Sequence, residues 1–386
     1  MARCASCQGH TSEVMHFGEV ALAGEFLREE DFRKERKYPL SLEFCETCLL
    51  LQVDQVVKPD TLFDHYFYFS SATETMRKHF EAYAKKMVDA FHPDRVLEIG
   101  CNDGVLLKPL QSLGVNVVGV DPAKNVTEGP VINAYWGLNV AKDLGQFDLI
   151  LANNVFAHIA DINDACAGVA HSLTPDGSFV FEVNRLDSLV SELQYDWVYH
   201  EHLFYYSLLS LDRLLARHGM EVYHLERIGT HAGSIRYFAG KKGAHPVTMD
   251  VGRQREREIW GRLDKIARFH EFAKQAEEHR HSMRELVASH EKVVGYGACG
   301  RTNTMLQWCG FGPEQIDYIV DDAPAKQGFY TPGSHIPIIS RLGEADCLIV
   351  FAWSFMQEIE PKLRGFKGKV VIPLPHIYER QERVAA

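Results

Sequence analysis

Val96-Leu-Glu-Ile-Gly-Cys-Asn-Asp-Gly104 decides the fold of the central part of the chain. The apolar run Arg95 to Ile99 reads as a strand buried on both faces, and Gly100 and Gly104 bracket a tight polar turn. The apolar stretch after it, Val105 to Leu113, reads as a helix. Outward from this unit the same alternation continues. Strand Val115 to Val120 ends in Asp121, and strand Asp148 to Ala152 ends in Asn153-Asn154. A helix follows over Ile162 to Ser172, and Pro175-Asp-Gly177 is expected to turn the chain into strand Ser178 to Glu182. Strands alternating with helices predict an α/β fold with a doubly wound parallel sheet. Ahead of it, Met76, Phe80, Tyr83, Ala84 and Met87 share one stripe of a helix expected over about 71–91.

An open parallel sheet binds its ligand beyond the carboxyl ends of its strands. The glycine turn lies there, and its backbone can approach a ligand closely. Asp121, followed by Pro122, stands where a carboxylate accepts from both ribose hydroxyls, and Asn153 ends a later strand near the rest of the ligand. A dinucleotide turn needs a middle glycine, which is missing here. The pattern instead resembles a class I methyltransferase. That resemblance implies S-adenosylmethionine as cofactor, held by Glu98, Gly100, Asn102, Gly104, Asp121, Pro122 and Asn153. A Rossmann-like sheet with no cofactor is the alternative.

Cys4-Ala-Ser-Cys7 and Cys45-Glu-Thr-Cys48 are two C-x2-C pairs, the ligand set of a closed tetrahedral Zn2+ site. Four protein ligands leave no position for water, so the zinc is expected to be structural. The stretch between the pairs, Gln8 to Phe44, is long enough to carry a strand or two. Two redox pairs are the rival reading, but nothing βαβ-like surrounds them. The other five cysteines show no pairing pattern and imply a reducing compartment. A net charge of −11 argues against nucleic acid as the main partner, and 46% hydrophobic residues give the chain real cores. With no run of 18 apolar residues and no leader-like segment, a cytoplasmic enzyme is expected, without membrane attachment and as a monomer.

After about Gly240 the texture changes. Arg253 to Lys292 is charged and is expected to form one long helix. A second α/β unit then starts: strand Lys292 to Gly295, turn Gly295-Tyr-Gly-Ala-Cys-Gly300, a helix from about Thr302, strand Ile316 to Val320 ending in Asp321-Asp322, and strand Cys347 to Phe351. G-x-G-x-x-G alone is weak evidence for a nicotinamide. Cradling the phosphates of a nucleotide-linked substrate uses the same turn physics, with Arg301, Lys326 and His335 as nearby cations or donors. Three domains are expected: a zinc module over 1–65, a methyltransferase domain over 66–240 and a second Rossmann-like α/β domain over 241–386.

Tyr199-His-Glu-His202 places a phenol, a carboxylate and two imidazoles within four residues. The cluster serves as a general base, as metal ligands needing further partners, or as a solvated loop. His158, just past a strand end, is a second candidate base, with adenosine contact or helix capping as the bland alternative.

Several motifs together resemble one family closely. They are the zinc pairs, Tyr66-x-Tyr68-Phe-Ser-Ser71, Glu98-Ile-Gly-x-Asn-Asp-Gly104, Asn153-Asn-Val-x-Ala-His158, Tyr199-x-Glu-His202 and His231-Ala-Gly-Ser-Ile-Arg236, with Gly295-Tyr-Gly-Ala and Pro324-Ala-Lys-Gln-Gly-x-Tyr330-Thr-Pro-Gly-x-His335-Ile-Pro337. The family is the nucleotide-sugar C-methyltransferases of deoxysugar pathways, of which the 3′-C-methyltransferase of tetronitrose biosynthesis is the type. One departure is Cys299-Gly-Arg-Thr302, where a more Ala/Lys-rich turn is expected. The resemblance implies C-methylation of a nucleoside-diphosphate 4-keto-6-deoxyhexose beside its ketone. His202 would be the base, with Glu201 orienting it and Tyr199 or His158 donating to the 4-oxygen. Tyr66, Tyr68, His231, Ser234, Arg236, Tyr296, Arg301, Lys326 and His335 would bind the substrate. A sugar or small-molecule O-methyltransferase and a non-catalytic binding module are the other classes.

Overall fold

The computed structural model describes residues 3–54, 57–63, 74–124, 129–229 and 233–380. Compactness divides the chain into two units, each assembled from three stretches. The first holds Met1–Ser12, Cys45–Arg185 and Leu203–Asp264; the second holds Glu13–Phe44, Leu186–His202 and Lys265–Ala386. The packing thus cuts across the three consecutive blocks expected from sequence. All four paired cysteines fall in the first unit, whereas Glu13–Phe44 between the pairs and the Tyr199–His202 cluster fall in the second.

The first unit is built on seven strands: β1 (Arg95–Ile99), β2 (Asn116–Asp121), β3 (Val131–Asn133), β4 (Phe147–Asn153), β5 (Leu173–Asn184), β6 (Met220–Ile228) and β7 (Ser234–Lys241). Their order is β6-β7-β5-β4-β1-β2-β3. β1 pairs in parallel with β2 (Val96 with Val117) on one side and with β4 (Leu97 with Ile150) on the other. The winding reverses beside β1, which makes the carboxyl ends of β1 and β4 the switch-point crevice. Val96, Leu97, Ile150, Leu151, Phe179 and Val180 are wholly buried, as strands covered on both faces require. β7 runs antiparallel to both β5 and β6.

Two local expectations change. Pro175-Asp-Gly177 does not precede its strand but lies inside β5, where the register with β4 shifts between Phe147 and Leu149. A Cβ on Gly177 would stand 3.0 Å from the Phe147 carbonyl oxygen, so the close approach of the two backbones needs glycine. The expected helix over 253–292 is two helices, Met249–Trp260 and Ile266–Ala288. The first ends at Gly261, Arg262 takes a φ of 58°, and the two belong to different compact units.

A buried ion pair ties the edge strands together. Arg236 on β7 stands in register with Glu182 on β5 and Glu226 on β6. Its Nε donates to Glu182 Oε1 at 2.8 Å and its Nη1 to Glu226 Oε2 at 3.1 Å. The guanidinium also lies 4.0 Å over the Tyr83 ring of helix Glu74–Phe91. Lys86, one turn on, donates to Glu226 at 2.6 Å. Arg236 therefore links β5, β6 and β7 through its guanidinium.

The second unit carries a six-stranded sheet of β8 (Val293–Tyr296), β9 (Ile319–Val320), β10 (Ile338–Ile339), β11 (Cys347–Val350), β12 (Lys369–Ile372) and β13 (Tyr378–Glu379). The order is β10-β9-β8-β11-β12-β13, parallel except at the β13 edge. Strands Ser12–Ala21 and Lys37–Phe44 pair with each other. Phe17 packs on Trp308 at 5.1 Å and Phe44 on Phe269 at 4.6 Å, so this early segment shares the core of the C-terminal one.

Arg236→Met should lower stability by about 3–5 kcal/mol, because Glu182 is left buried and unpaired. Adding Glu182→Gln should restore part of that loss in urea melts. Equal stability of wild type and Arg236→Met would show that the pair does not hold the sheet edge.

Candidate active site

The two C-x2-C pairs form matching knuckles. The Cys4 carbonyl accepts from Gln8 N–H at 2.9 Å and the Cys45 carbonyl from Leu49 N–H at 2.7 Å. Gln8 and Leu49 both take positive φ, 61° and 63°, which turns each chain back over its cysteines. The four Sγ atoms all lie within 4.8 Å of one another, with Cys4–Cys48 at 3.2 Å and Cys7–Cys45 at 3.5 Å. A tetrahedron of Zn–S bonds of about 2.3 Å places its sulfurs roughly 3.8 Å apart, so the cluster fits one zinc ion. Among the described residues no other group of three metal-binding side chains comes together. In particular His200 donates to or accepts from no metal partner set: its Nε2 lies 3.2 Å from the Pro39 carbonyl, and burial lowers its pKa.

In the first unit the expected donor site assembles at the switch point. Gly100 has a φ of 66°, and a Cβ there would stand 2.4 Å from Val155 Cγ2, so only glycine fits. Gly104 (φ 74°) closes the turn by donating to the Cys101 carbonyl at 3.0 Å. Asp121 receives Asn102 N–H on Oδ2 and Ala123 N–H on Oδ1, both at 2.9 Å, and Pro122 lies between its two contacts. This fixes the carboxylate at the mouth of the turn. Glu98 is buried, which drives its carboxyl pKa well up, opposed by the Asn153 amide beside it. Glu98 Oε2 and both amide atoms of Asn153 are buried without a hydrogen-bond partner. Orphaned polar groups at the carboxyl ends of β1 and β4 are what a polar cofactor would satisfy. The residues fit an adenosine-bearing ligand.

His158 ends the turn after β4, its N–H donating to the Val155 carbonyl at 2.8 Å. Burial lowers its pKa to about 4, so the ring is neutral at pH 7. The neighbouring loop is pinned by Leu203 N–H on the Ala157 carbonyl and by Tyr206 OH on the Phe156 carbonyl. Ser234 is wholly buried at the start of β7, facing Asn184 in the sheet register. Tyr66, Tyr68 and His231 lie outside the described residues.

In the second unit both nitrogens of His202 are held. Nδ1 lies 3.1 Å from the Trp197 carbonyl and Nε2 lies 2.8 Å from Tyr199 OH. A carbonyl only accepts, so Nδ1 carries the proton and Nε2 the lone pair. The Trp197 ring stacks on the imidazole at 5.3 Å and 15°. Trp197 thus touches the ring through both its carbonyl and its indole, a contact that sequence reasoning missed. Only its place in Tyr195-Asp-Trp197, just ahead of the cluster, could have drawn attention to it. Glu201 lies against Gly24, where a Cβ would stand 3.2 Å from Oε1. Burial, and then the charge of Glu25, push the Glu201 carboxyl up to about 7.

The C-terminal turn repeats the first one. Gly297 (φ 91°) cannot carry a Cβ, which would stand 2.3 Å from that of Ala352. Asp321 receives Ala298 N–H on Oδ2 at 2.7 Å and Ala323 N–H on Oδ1 at 2.9 Å. Here, though, Lys326 Nζ donates to the Ala298 carbonyl at 2.7 Å and approaches Asp321 at 3.4 Å. His335 pairs with Glu35 at 2.9 Å and stacks on Phe32 at 3.9 Å. Arg301 is buried, donating to Ser354 Oγ at 2.6 Å. Tyr296 OH bonds both Asp322 oxygens at 3.0 and 3.1 Å. The cations expected to meet a diphosphate already have partners within the unit.

Three domain families match the chain in sequence: "Putative zinc binding domain" over residues 4–63, "Methyltransferase domain" over 68–225 and "C-methyltransferase C-terminal domain" over 229–375. The C-methyltransferase NovU of Streptomyces niveus is 34% identical over 400 residues, covering 96% of this chain and 95% of that one. This chain belongs to that C-methyltransferase family. It is a methyltransferase, its cysteine cluster is a structural zinc site, and S-adenosylmethionine is its cofactor. The ubiquinone biosynthesis O-methyltransferase of Bartonella tribocorum is 35% identical, but over 24% of this chain and 42% of that one. Among solved structures, the PH0226 protein of Pyrococcus horikoshii aligns with a TM-score of 0.37 at 17% identity, covering 47% of this chain and 98% of that one. Among the described residues no helix is long and apolar enough to cross a membrane.

Elemental analysis should return about one zinc per chain. Cys45→Ser should lower the melting temperature and release the metal to a chelator; zinc-free protein of unchanged stability would contradict a structural ion. The Glu201 carboxyl gives a second expectation. Its pKa is raised on folding, so the stabilising neutral form is present at low pH and lost as pH rises towards 7 and beyond. Melting temperatures between about pH 5 and 8 should therefore fall more steeply for wild type than for Glu201→Gln. Parallel curves would place that titration elsewhere.

Proposed function

We propose that this C-methyltransferase methylates a nucleoside-diphosphate 4-keto-6-deoxyhexose at C3, the carbon beside the ketone, through an enolate. The observation that carries the reading is the His202 imidazole, fixed with Nδ1 on the Trp197 carbonyl and Nε2 on the Tyr199 hydroxyl. A C–H beside a carbonyl becomes acidic only when a base takes the proton as donors meet the developing oxyanion. His202 Nε2 takes that proton, a contribution of ~10²–10⁴ in rate. The Tyr199 hydroxyl then turns to the 4-oxygen, and donors of this kind add ~10²–10³. His158, neutral at pH 7, is a second donor. S-adenosylmethionine supplies an electrophilic sulfonium methyl, with Asp121 on the ribose hydroxyls and Glu98 and Asn153 on the remaining polar edge.

The substrate's nucleotide is assigned to the 241–386 block, with the backbone N–H groups at the start of helix Gly300–Cys309 facing phosphate. Arg301, Lys326, His335 and Arg236 are left out of that role because each has its own partners. O-methylation would need a hydroxyl and a base but no acidified C–H. The match to an O-methyltransferase spans 24% of the chain, against 96% for the C-methyltransferase.

Incubation of a 4-keto sugar nucleotide with enzyme in D2O tests the reading. Wild type should wash deuterium into the position beside the ketone. His202→Ala should bind both ligands yet lose exchange and methylation, a loss of ~3–5 kcal/mol in transition-state stabilisation. His158→Ala should slow turnover less. Undiminished exchange in His202→Ala, with exchange abolished in His158→Ala, would reverse the two roles.

A further inference from the structure

Arg301 is an expensive residue to bury. Its side chain is 5% exposed, its Nη1 reaches no acceptor, and its nearest carboxylate, Asp196, stands 3.9 Å from Nε. Asp196 itself is 1% exposed, and the oxygen nearest Arg301, Oδ2, already accepts from Trp353 Nε1 at 2.9 Å. A pair this loosely made contributes little stability against an apolar replacement. Besides its hydrogen bond to Ser354 Oγ, the guanidinium makes two aromatic contacts, 4.7 Å over Trp197 and 4.8 Å over Trp353. Trp197 is the residue whose carbonyl sets the His202 tautomer and whose ring stacks on the imidazole.

The helix that carries Arg301 grips the same loop at two more places. Gly300, at its start, lies against the Tyr199 ring, where a Cβ would stand 3.6 Å from Cζ. Thr304, one turn on, donates from Oγ1 to the Val198 carbonyl at 3.2 Å. One turn of helix Gly300–Cys309 thus contacts three consecutive loop residues: Trp197, Val198 and Tyr199. An ammonium and a guanidinium are both attracted to an indole face, but only the planar guanidinium can also stack flat on it.

We propose that Arg301 is a positioning residue for the reaction: by clamping Trp197 it holds the His202 imidazole in its basic tautomer and fixed plane. The inference rests on His202 as the base and replaces the ligand role expected for Arg301 from sequence. It predicts that Arg301 acts on turnover and not on binding, since it touches His202 only through Trp197.

The test compares wild type, Arg301→Met and Arg301→Lys by 15N NMR of labelled histidine, with His202→Gln to assign the signal. Wild type should show His202 protonated on Nδ1. Arg301→Met should show mixed tautomers, and Arg301→Lys an intermediate state that also serves should the Met variant fail to fold. No substrate is needed for this arm, so it holds whichever sugar the enzyme takes. With dTDP-4-keto-6-deoxyglucose as probe, Arg301→Met should lower kcat about 10- to 100-fold, as expected for a displaced catalytic group, while KM stays within about twofold. An unchanged His202 signal, or a raised KM at constant kcat, overturns the proposal. Full deuterium exchange in His202→Ala would instead overturn the base assignment and leave the NMR result standing.

Discussion

A carboxylate that closes a glycine turn recurs at the heart of each unit. Asp121 and Asp321 each end the second strand of a parallel sheet, and each receives two backbone N–H groups, one from the turn and one from two residues on. That geometry fixes where the turn backbone runs and forces glycine at Gly100 and Gly297, whose Cβ positions are already filled by Val155 and Ala352. The two sites then diverge by their other polar groups. Beside Asp121 the polar atoms of Glu98 and Asn153 remain unsatisfied, whereas beside Asp321 the ammonium of Lys326 answers the carboxylate and the turn carbonyl. The same backbone device has unsatisfied polar atoms beside it in one unit and the chain's own lysine beside it in the other.

Chain order and packing order differ, and the difference bears on chemistry. The loop with Tyr199, Glu201 and His202 lies between two segments of the methyltransferase sheet in sequence but packs with the C-terminal α/β sheet. Its shape is set by side chains of that sheet's first helix and by the indoles of Trp197 and Trp353. The Trp197 carbonyl, 3.1 Å from His202 Nδ1, sets which ring nitrogen keeps its lone pair in the neutral imidazole.

Much of this was legible in the sequence where the signal is local. The cysteine spacing announces its own ligand geometry, and the strand–glycine–helix runs announce both sheets because a buried parallel strand must be apolar throughout. The breaks were harder. Pro175-Asp-Gly177 carries turn residues yet lies within a strand, because the close approach of β4 demands a glycine there. The split of the 253–292 stretch hangs on Gly261 and on which unit each half packs with, which charge content does not show. The partners of the cations were the least legible. Arg236, Arg301, Lys326 and His335 look free in a sequence because Glu182, Trp197, Asp321 and Glu35 are brought to them by sheet register or by packing from up to 300 positions away. Burial of a charge beside such a partner leaves no trace in local pattern.

The position of the transferred methyl tests the account most directly. The enzyme would be given S-adenosylmethionine labelled with 13C in its methyl group and a 4-keto sugar nucleotide deuterated beside the ketone, and the product read by NMR. The account predicts a 13C methyl bound directly to the ring carbon that carried the deuterium, with that deuterium gone. A labelled methyl bound through oxygen, with the deuterium retained, would contradict it.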